Sequence, residues 1–563
     1  MIGSLPPGAV LLLGALFVPL FRGRSKPVYL LLLPLLSVAH LLWLGQGHLF
    51  QLTVLDYELT PIRVDKLSLV FGYVFHLAAF LGVVFALHVR DDVQHVSAMV
   101  YVGAAVAAAF AGDLITLFIF WELTAVSSVF LIWASRNERA YRAGMRYLII
   151  QVGSGVLLLA GILFHFRDTE SIAFEHLGLG NSGTTLIFLA FGVKCAFPLL
   201  HNWLQDAYPE ATVTGTVFLS AFTTKLAVYA LARGFAGTGI LIGIGAVMTA
   251  FPIFYAVIEN DLRRVLAYSL NNQLGFMVVG IGLGTEMALN GAVSHAFAHI
   301  LYKALLFMSM GAVLYRTGTV KGSELGGLYK SMPWTTAFCI VGAMSISAFP
   351  LFSGFVTKSM VLTSAGDRHL TVVSLALLFA SAGVFHHSGI KIPFFAFFAH
   401  DSGIRCKEAP ANMLVAMAIT ALLCIGIGVF PGPLYSLLPY PVDYQPYTTS
   451  HVIQSLQLLL WASLAFSMLI RSGLYPAETP SVNLDSDWVY RKLLPDLLLG
   501  LGLAGSRAGA RLVERGRTEA ANLLRGIYRH HGPQGLFARS WPTGSTVLWV
   551  AVILGAFLIL YYT

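Results

Sequence analysis

Apolar stretches long enough to cross a membrane recur along the whole chain. The sequence is 57% hydrophobic and 11% charged, whereas a soluble domain is about 25% charged. Because backbone groups in lipid must bond internally, only helices and closed barrels span it, and stretches of about 17 to 25 residues fit helices. The sequence therefore predicts an all-α polytopic membrane protein without a soluble catalytic domain. Sixteen segments are predicted near residues 8–21, 28–45, 66–88, 96–111, 113–134, 144–166, 184–204, 212–235, 238–258, 263–284, 289–315, 334–360, 370–399, 411–431, 454–470 and 545–562.

The loops rich in lysine and arginine all fall on one side of the membrane when crossings are counted from an outside N-terminus. They are Arg22–Lys26, Arg136–Arg146, Arg263 with Arg264, Arg316–Lys330 and Arg405–Lys407. Basic residues collect in cytoplasmic loops, so this side is predicted to be the cytoplasm. The same rule accounts for the net charge of +8 without nucleic acid. We expect a multi-pass protein of the cell inner (cytoplasmic) membrane.

Two lysines lie inside the apolar stretch Gly192–Arg233. They are Lys194 and Lys225. A charged side chain in hydrocarbon is unfavourable, so an intramembrane lysine indicates a functional site. Pro198 follows Lys194 by four residues and is predicted to break this segment, because its ring removes a backbone donor and clashes one turn back.

Another lysine stands beside another break late in the chain, in the run FPLFSGFVTK. Here Pro350 and Gly354 precede Lys358. Transporters built from inverted repeats use paired discontinuous helices to form polar sites near the membrane midplane. The two breaks with their lysines fit such a pair, although we expect no clear residue-level identity between the halves.

A single carboxylate, Glu122, lies in the apolar run FIFWELTAV. Buried alone and ionised it would be strongly unfavourable, so it must be neutral or paired. Lys194 is the natural partner, because a nearby carboxylate stabilises the protonated amine. The alternative is a static ion pair that only holds two helices together.

Three titratable side chains form a stripe on one predicted helix. His295, His299 and Lys303 are spaced i, i+4 and i+8, which places them on one face. Such a row is a possible stepwise proton path. A lone histidine would more often be a satisfied core residue, but three aligned groups favour the path.

No cofactor or metal site is expected. The four cysteines lack any C-x-x-C spacing, which argues against zinc, iron–sulfur clusters and a disulfide framework. His386 and His387 are adjacent and point to different sides of a helix, so a metal or haem centre is disfavoured. Lys391 and Pro393 are interpreted as a snorkelling lysine and a helix-end kink, outside the proton path.

The composition changes near the C-terminus. The stretch Asp485 to Arg539 is rich in arginine, with leucines at near-helical spacing, which predicts an amphipathic helix along the membrane surface or a partner subunit. A solvated linker is the alternative. The predicted organisation is N-terminal helices 1–95, a first repeat half 96–235, a second repeat half 238–431, an additional helix 432–480, the amphipathic region 481–544 and a final transmembrane helix 545–563.

Several motifs together resemble one family. They are W-E in the fifth segment, K-x-x-x-P-L-x-H-x-W-L-x-D-A, the following K-x-x-x-Y, D-L-R-R-x-L-A-Y-S, the stripe HAFAHILYKALLF and S-G-F-x-x-K. Over Asp65 to Pro431 the chain resembles the antiporter-like subunits shared by Mrp-type Na+/H+ antiporters, where it is similar to the D-type subunits, and by the proton-translocating membrane part of respiratory complex I. The motifs are specific as a set, although each alone is weak.

That resemblance implies about fourteen core transmembrane helices with two inverted five-helix repeats, each with one discontinuous helix. It also implies a horizontal proton relay near the midplane. Glu122 and Lys194 would be the switching pair, Lys225 the next site, the stripe the middle and Lys358 the terminal site. The C-terminal surface helix and extra transmembrane helices are similar to those of the most distal complex I subunit.

The predicted function is a proton-translocating subunit of a multisubunit Mrp-like monovalent cation/proton antiporter. Its expected partners are other membrane subunits, protons, Na+ or another monovalent cation, and the lipid bilayer. The alternative is a proton-pumping subunit of a complex I-type NADH:quinone oxidoreductase or a membrane-bound hydrogenase. An independent solute carrier is disfavoured, because the polar groups form a relay rather than a pocket. The chain is not expected to be an enzyme by itself.

Overall fold

The computed structural model describes residues 2–55, 57–476, 478–479 and 483–563, and it divides into two compact units, Met1–Asn483 and Leu484–Thr563. Helices dominate both. In chain order, α1 to α21 span Ala9–Phe17, Ser25–Leu44, Lys66–Ala86, Asp92–Phe110, Leu114–Trp133, Glu138–Thr169, Ser182–Lys194, Asn202–Ala207, Val213–Ala221, Thr223–Gly234, Ile240–Ile258, Leu262–Leu283, Glu286–Thr317, Pro333–Ile346, Ser353–Asp367, Thr371–Val384, Ala411–Val429, Gly432–Ser436, Thr449–Arg471, Leu494–His531 and Thr543–Tyr562.

Each of the sixteen segments predicted from hydropathy overlaps at least one of these helices. Among the described residues, 12 helices are long and apolar enough to cross a membrane. Two of these spans are composite: Val213–Gly234 joins α9 to α10, and Thr371–Phe398 continues α16 through two π-helical stretches. The predicted fold class, an all-α polytopic membrane protein, is confirmed.

The middle of the chain contains a structural repeat. Helices α4, α5 and α6 begin at residues 92, 114 and 138, and α11, α12 and α13 begin 148 residues later, at 240, 262 and 286. Aspartates cap α5 and α12 at the same offset, Asp113 and Asp261, and each also forms an isolated β-bridge with the loop that follows the next helix. Each copy continues with one broken helix and one further span. Five spans is an odd number, so the second copy enters the membrane from the opposite side.

A short antiparallel hairpin, β1 (Leu49–Val54) with β2 (Tyr57–Arg63), is the element that hydropathy did not predict. The Thr60 amide donates to the Asp113 carboxylate, and the Gly112 amide donates to the Thr60 carbonyl. The hairpin therefore rests on the N-terminal end of α5, in a loop too polar to be read as a span.

Helix α13 lies at the centre of the first unit. Every residue from Ala288 to Val313 is buried, including the whole histidine and lysine stripe, and the helix packs against α3, α9, α12, α14, α15 and α17. In the second unit, taken by itself, α20 is a 38-residue helix whose side chains are exposed. A helix forms in the C-terminal region where an amphipathic one is predicted. Its role stays a prediction.

Candidate functional site: a buried row of amines and imidazoles

The two broken helices are interrupted by the same sequence. The gap between α7 and α8 and the gap between α14 and α15 both contain AFPL, at residues 196–199 and 348–351. In both copies the alanine and the leucine have positive φ, 61° and 69° in the first, 57° and 74° in the second. Non-glycine residues in this region are strained and concentrate at functional sites. Pro198 and Pro350 therefore occupy equivalent positions, and the expectation of no clear identity between the halves is wrong here.

The second break also depends on Gly354. A Cβ at this position would overlap the carbonyl oxygen of Ser345, near the end of α14. The backbone of the two half-helices can approach this closely only because residue 354 is glycine.

Lys194 is the last residue of α7 and is fully buried. Its Nζ donates to the Trp121 carbonyl at 2.5 Å and to the Thr124 hydroxyl at 2.8 Å, and it lies 4.3 Å from the centroid of the Trp121 ring. Cation–π attraction and the C-terminal end of a helix both favour a positive charge at this place.

Glu122 lies on the same helix as Trp121. Among the described residues, no ion pair within 4.0 Å joins its carboxylate to Lys194, whose amine is turned toward the Trp121 carbonyl and Thr124. The carboxylate is still near enough for each charge to act on the other. Its Oε1 lacks a hydrogen-bond partner within the described chain and fills the space left by Gly155 on α6. The predicted contact pair is therefore separated in this structure.

Lys225 lies beside a third, unpredicted interruption, between α9 and α10. The Lys225 amine donates to the Ser220 carbonyl at 2.6 Å, a group that the interruption frees from its helical partner. The break is held by Tyr101 of α4, whose hydroxyl bonds the amide and hydroxyl of Thr223. No proline or glycine marks this site in the sequence, so only the distant Tyr101 contact reveals it.

The middle of the row is on α13. Lys303 donates to the Ser269 hydroxyl of α12 at 2.9 Å. Neither nitrogen of the His299 ring has a hydrogen-bond partner among the described residues, although the ring is fully buried. The charge of Lys225 acts on both His299 and Lys303, so the two helices bring these groups into electrostatic contact.

His295 connects the stripe to the second broken helix. Its Nδ1 lies 3.1 Å from the hydroxyl of Thr357, and its Nε2 lies 3.2 Å from the Gln273 side-chain oxygen. Thr357 immediately precedes Lys358 on α15. Thr357 and Gln273 were not predicted from the sequence, because a threonine and a glutamine carry no signal without their three-dimensional neighbours.

Lys358 ends the row. Its Nζ donates to the carbonyl of Ile346, the last residue of α14, at 3.3 Å, and lies 4.8 Å from the centroid of the Phe276 ring. It also lines a cavity of about 270 Å³ between α15, α16 and α19, which reaches Ser374 and His451. This terminal amine therefore has a neighbouring space that small molecules such as water can enter.

The structure thus buries six of the seven proposed relay residues in the protein interior. All six are at most 1% exposed: Lys194, Lys225, His295, His299, Lys303 and Lys358. Each amine is bonded to carbonyl or hydroxyl oxygens rather than to a carboxylate, so each can exist with or without its extra proton. Within the described residues, no group of three or more His, Cys, Asp or Glu side chains could hold a metal ion.

The broken helices and the buried row define a polytopic membrane protein with an internal polar axis. The family model for the transmembrane part of NADH:quinone oxidoreductase and Mrp antiporter subunits matches residues 111–384. The chain is 30% identical over 361 residues to NAD(P)H-quinone oxidoreductase chain 4 1 of Synechococcus sp. (strain JA-3-3Ab), covering 58% of this chain and 68% of that relative. It belongs to the NADH:quinone oxidoreductase/Mrp antiporter family, which confirms the resemblance.

Two further relatives come from different complexes. Hydrogenase-4 component B of Escherichia coli (strain K12) is 27% identical over 376 residues, covering 59% of this chain and 55% of the relative. The D-type subunit of the Na(+)/H(+) antiporter of Alkalihalophilus pseudofirmus is 29% identical over 333 residues, covering 55% of this chain and 66% of the relative. The chain thus spans between about half and two thirds of the length of these two relatives.

Two solved structures share the fold. A chain of the Mrp complex from Dietzia sp. DQ12-45-1b has a TM-score of 0.70 and 20% identity, covering 80% of this chain and 99% of that one. A chain of the membrane-bound sulfane sulfur reductase, an archaeal respiratory membrane complex, has a TM-score of 0.71 and 21% identity, covering 99% of both chains. At these identities the likeness concerns the fold alone.

Proposed function

We propose that the chain is a proton-translocating subunit of a multisubunit Mrp-like monovalent cation/proton antiporter. The observation that carries the proposal is the buried row from Lys194 to Lys358, in which amines and imidazoles lie on three interrupted spans and on the continuous helix α13. Intramembrane ionisable residues in such a row are typical of proton pathways. Glu122 supplies a negative charge near Lys194, the first lysine of the row.

Proton transfer starts from the separation of Glu122 and Lys194. When the carboxylate approaches, it stabilises the protonated amine, and when it withdraws, Lys194 releases its proton toward Lys225. The stripe on α13 accepts it next, and Thr357 links His295 to the neighbourhood of Lys358. Charge at one end of the row thereby changes proton occupancy at the other. Partner subunits or an opposing cation gradient supply the energy.

A second candidate is a proton-pumping subunit of a redox-driven complex of the complex I or hydrogenase type. The likeness to the chain of the sulfane sulfur reductase extends over 99% of this chain, whereas the Mrp chain covers 80%. The relay is the same in both proposals. The subunits that copurify in mild detergent separate them, since only the redox complex contains iron–sulfur proteins. In either case the predicted location is the cell inner membrane.

The relay is tested by Glu122→Ala and Lys194→Ala in membrane vesicles that contain the intact complex. Each variant is expected to abolish cation-dependent proton movement while the complex still assembles. Lys321→Ala, at an exposed loop ion pair with Glu324, is the control and should transport normally. Normal transport by assembled Lys194→Ala complex would overturn the proposed function.

A further inference from the structure

A chain of hydrogen bonds leaves the row at Lys303 and leads away from Lys358. The Lys303 amine donates to Ser269, the Ser388 hydroxyl donates to Ser269 at 2.7 Å, and His387 Nδ1 lies 2.9 Å from the Ser388 hydroxyl. All four side chains are fully buried. His387 and Ser388 lie in the π-helical stretch Phe385–Lys391, a rare conformation that is frequent at functional sites.

The same stretch ends at Lys391, which is not the snorkelling lysine that the sequence suggested. Its side chain has no exposed area, and its amine donates to the Val257 and Glu259 carbonyls at 2.6 and 2.7 Å. It also pairs with the Glu478 carboxylate at 2.8 Å. A snorkelling lysine places its charge in water, whereas this one places it against a buried carboxylate.

Glu478 reaches a cavity at the molecular surface. The cavity measures about 350 Å³ and is lined by Ser323, His400, Tyr475 and Glu478. Ser323 belongs to the basic loop Arg316–Lys330, so the opening is on the side predicted to face the cytoplasm. Burial raises the pKa of the Glu478 carboxyl, and the charge of Lys391 opposes this shift. A carboxyl of this kind can exchange a proton with the water outside.

The charges around His387 are mostly basic. Lys303, His386, Lys391 and Lys358 all act on its ring, and its Nε2 has no hydrogen-bond partner among the described residues. Acidic groups enter only beyond Lys391, where Glu478 and Glu259 act on that amine. Lys391 thus stands between the basic groups that act on His387 and the acidic side chains of Glu259 and Glu478.

We propose that His387, Lys391 and Glu478 form a second proton route, which joins the relay at Lys303 and opens on the face of the basic loops. The inference rests on the proposed function, because it adds an access path to that relay. Lys358 and its cavity then serve one side of the membrane, and the Glu478 cavity serves the other.

The route conserves protons at each step. For transfer from Lys303 toward Glu478 the two hydroxyls rotate, so that Ser269 donates to Ser388 and Ser388 donates to His387 Nδ1. Protonated Lys303 gives a proton to the Ser269 oxygen, the Ser269 proton passes to Ser388, and the Ser388 proton passes to His387. Lys303 is left neutral and His387 becomes an imidazolium, whose Nε2 proton moves on toward Glu478. Transfer from Glu478 toward Lys303 reverses the steps.

Ser388→Ala breaks this route at a single hydroxyl, and Ser388→Thr keeps the hydroxyl. Ser364→Ala is the matched control, because that buried hydroxyl bonds the Met360 carbonyl of its own helix and no other group among the described residues. The assay uses inside-out vesicles that contain the intact complex, because their external solution contacts the face of the basic loops. A mobile buffer is added to that solution. Added buffer should accelerate proton movement in the wild type, Ser388→Thr and Ser364→Ala, and this acceleration should be lost in Ser388→Ala.

Glu478→Gln should also abolish the buffer response, since the amide cannot take up a proton. Lys194→Ala, tested in the same preparation, separates the two proposals. If Lys194→Ala is inactive while Ser388→Ala and Glu478→Gln respond to buffer as the wild type does, the second route is wrong and the relay stands. If Lys194→Ala transports normally, the relay itself fails.

Discussion

The two AFPL breaks have the same backbone but different surroundings. At the first, Lys194 is enclosed, and Glu122 is near enough to act on it. At the second, Lys358 lies beside an open cavity, and no carboxylate among the described residues acts on it. The broken backbone thus accommodates a buried amine at both sites, and the neighbouring helices determine which charges and cavities surround it. These surroundings are consistent with the proposed switch at the first break and suggest that the second would serve as an outlet.

Both breaks place a lysine near the C-terminal end of a half-helix, although in different ways. Lys194 is the last residue of α7, and Lys358 reaches across its break to Ile346, the last residue of α14. The C-terminal end of a helix carries partial negative charge. The breaks therefore offset part of the desolvation of each amine without a carboxylate in contact, so the proton can still leave.

The largest expected effect concerns the backbone of the second break. Gly354→Ala would place a methyl group on the Ser345 carbonyl oxygen, and we expect the free energy of unfolding to fall by about 3 kcal/mol. Thermal unfolding and the yield of assembled complex measure this. Gly366→Ala, on the same helix with no atom within 4 Å of its added Cβ, should behave as the wild type. Equal stability of both variants would contradict the assigned close approach.

The next effect concerns the carboxylate at the first break. Gly155→Ala would overlap Glu122 Oε1 and displace it, so proton movement should fall on the order of tenfold or more in assembled complex, since misplacement of a reacting group has effects of this size. Gly153→Ala on the same helix meets no neighbouring atom and should leave transport unchanged. Full transport by Gly155→Ala would mean that the position of Glu122 is unimportant.

A smaller contrast is expected in access to the two lysine positions. In a background whose four native cysteines are replaced by alanine, Lys358→Cys should react with a small neutral thiol reagent about tenfold faster than Lys194→Cys, because reactivity follows exposure. The rates are measured by mass spectrometry on the intact complex. Equal rates would remove the distinction between an enclosed and an open break.

The smallest effect concerns the third interruption, which lacks the AFPL sequence. Tyr101→Phe removes the hydroxyl that bonds Thr223 and should destabilise the protein by about 1 kcal/mol. The thermal midpoint checks this. Tyr141→Phe, whose side chain is exposed, is the control. An unchanged midpoint for Tyr101→Phe would show that the Tyr101 hydroxyl does not stabilise this break.

The membrane spans and the titratable groups inside them can be predicted from the sequence, because both depend on which residues are neighbours along the chain. Run length and apolarity give the helices, and an intramembrane lysine or histidine is conspicuous in any apolar run. The hairpin at β1 and β2 was missed because it lies in a polar loop. The break at Phe222 was missed because its cause, Tyr101, lies far away in the sequence.

Lys391 shows the same limit for the site. Its neighbours in sequence suggest a helix end, and this led to its interpretation as a snorkelling residue. Its true partners, the Val257 carbonyl and Glu478, come from segments that hydropathy cannot bring together. The AFPL pair, by contrast, is present in the sequence but was not predicted as a repeat, because its equivalence rests on the matching backbone angles.

The 148-residue offset also bears on how the chain enters the bilayer. The two copies of a unit with an odd number of spans have opposite orientations in the membrane, so equivalent loops lie on opposite sides and cannot carry the same charges. Helix α6 accordingly begins with Arg139, Arg142 and Arg146, while the equivalent start of α13 carries no basic residue in its first turns. The residues that determine the backbone fold can be the same in both copies, but the loop charges that determine membrane orientation must differ.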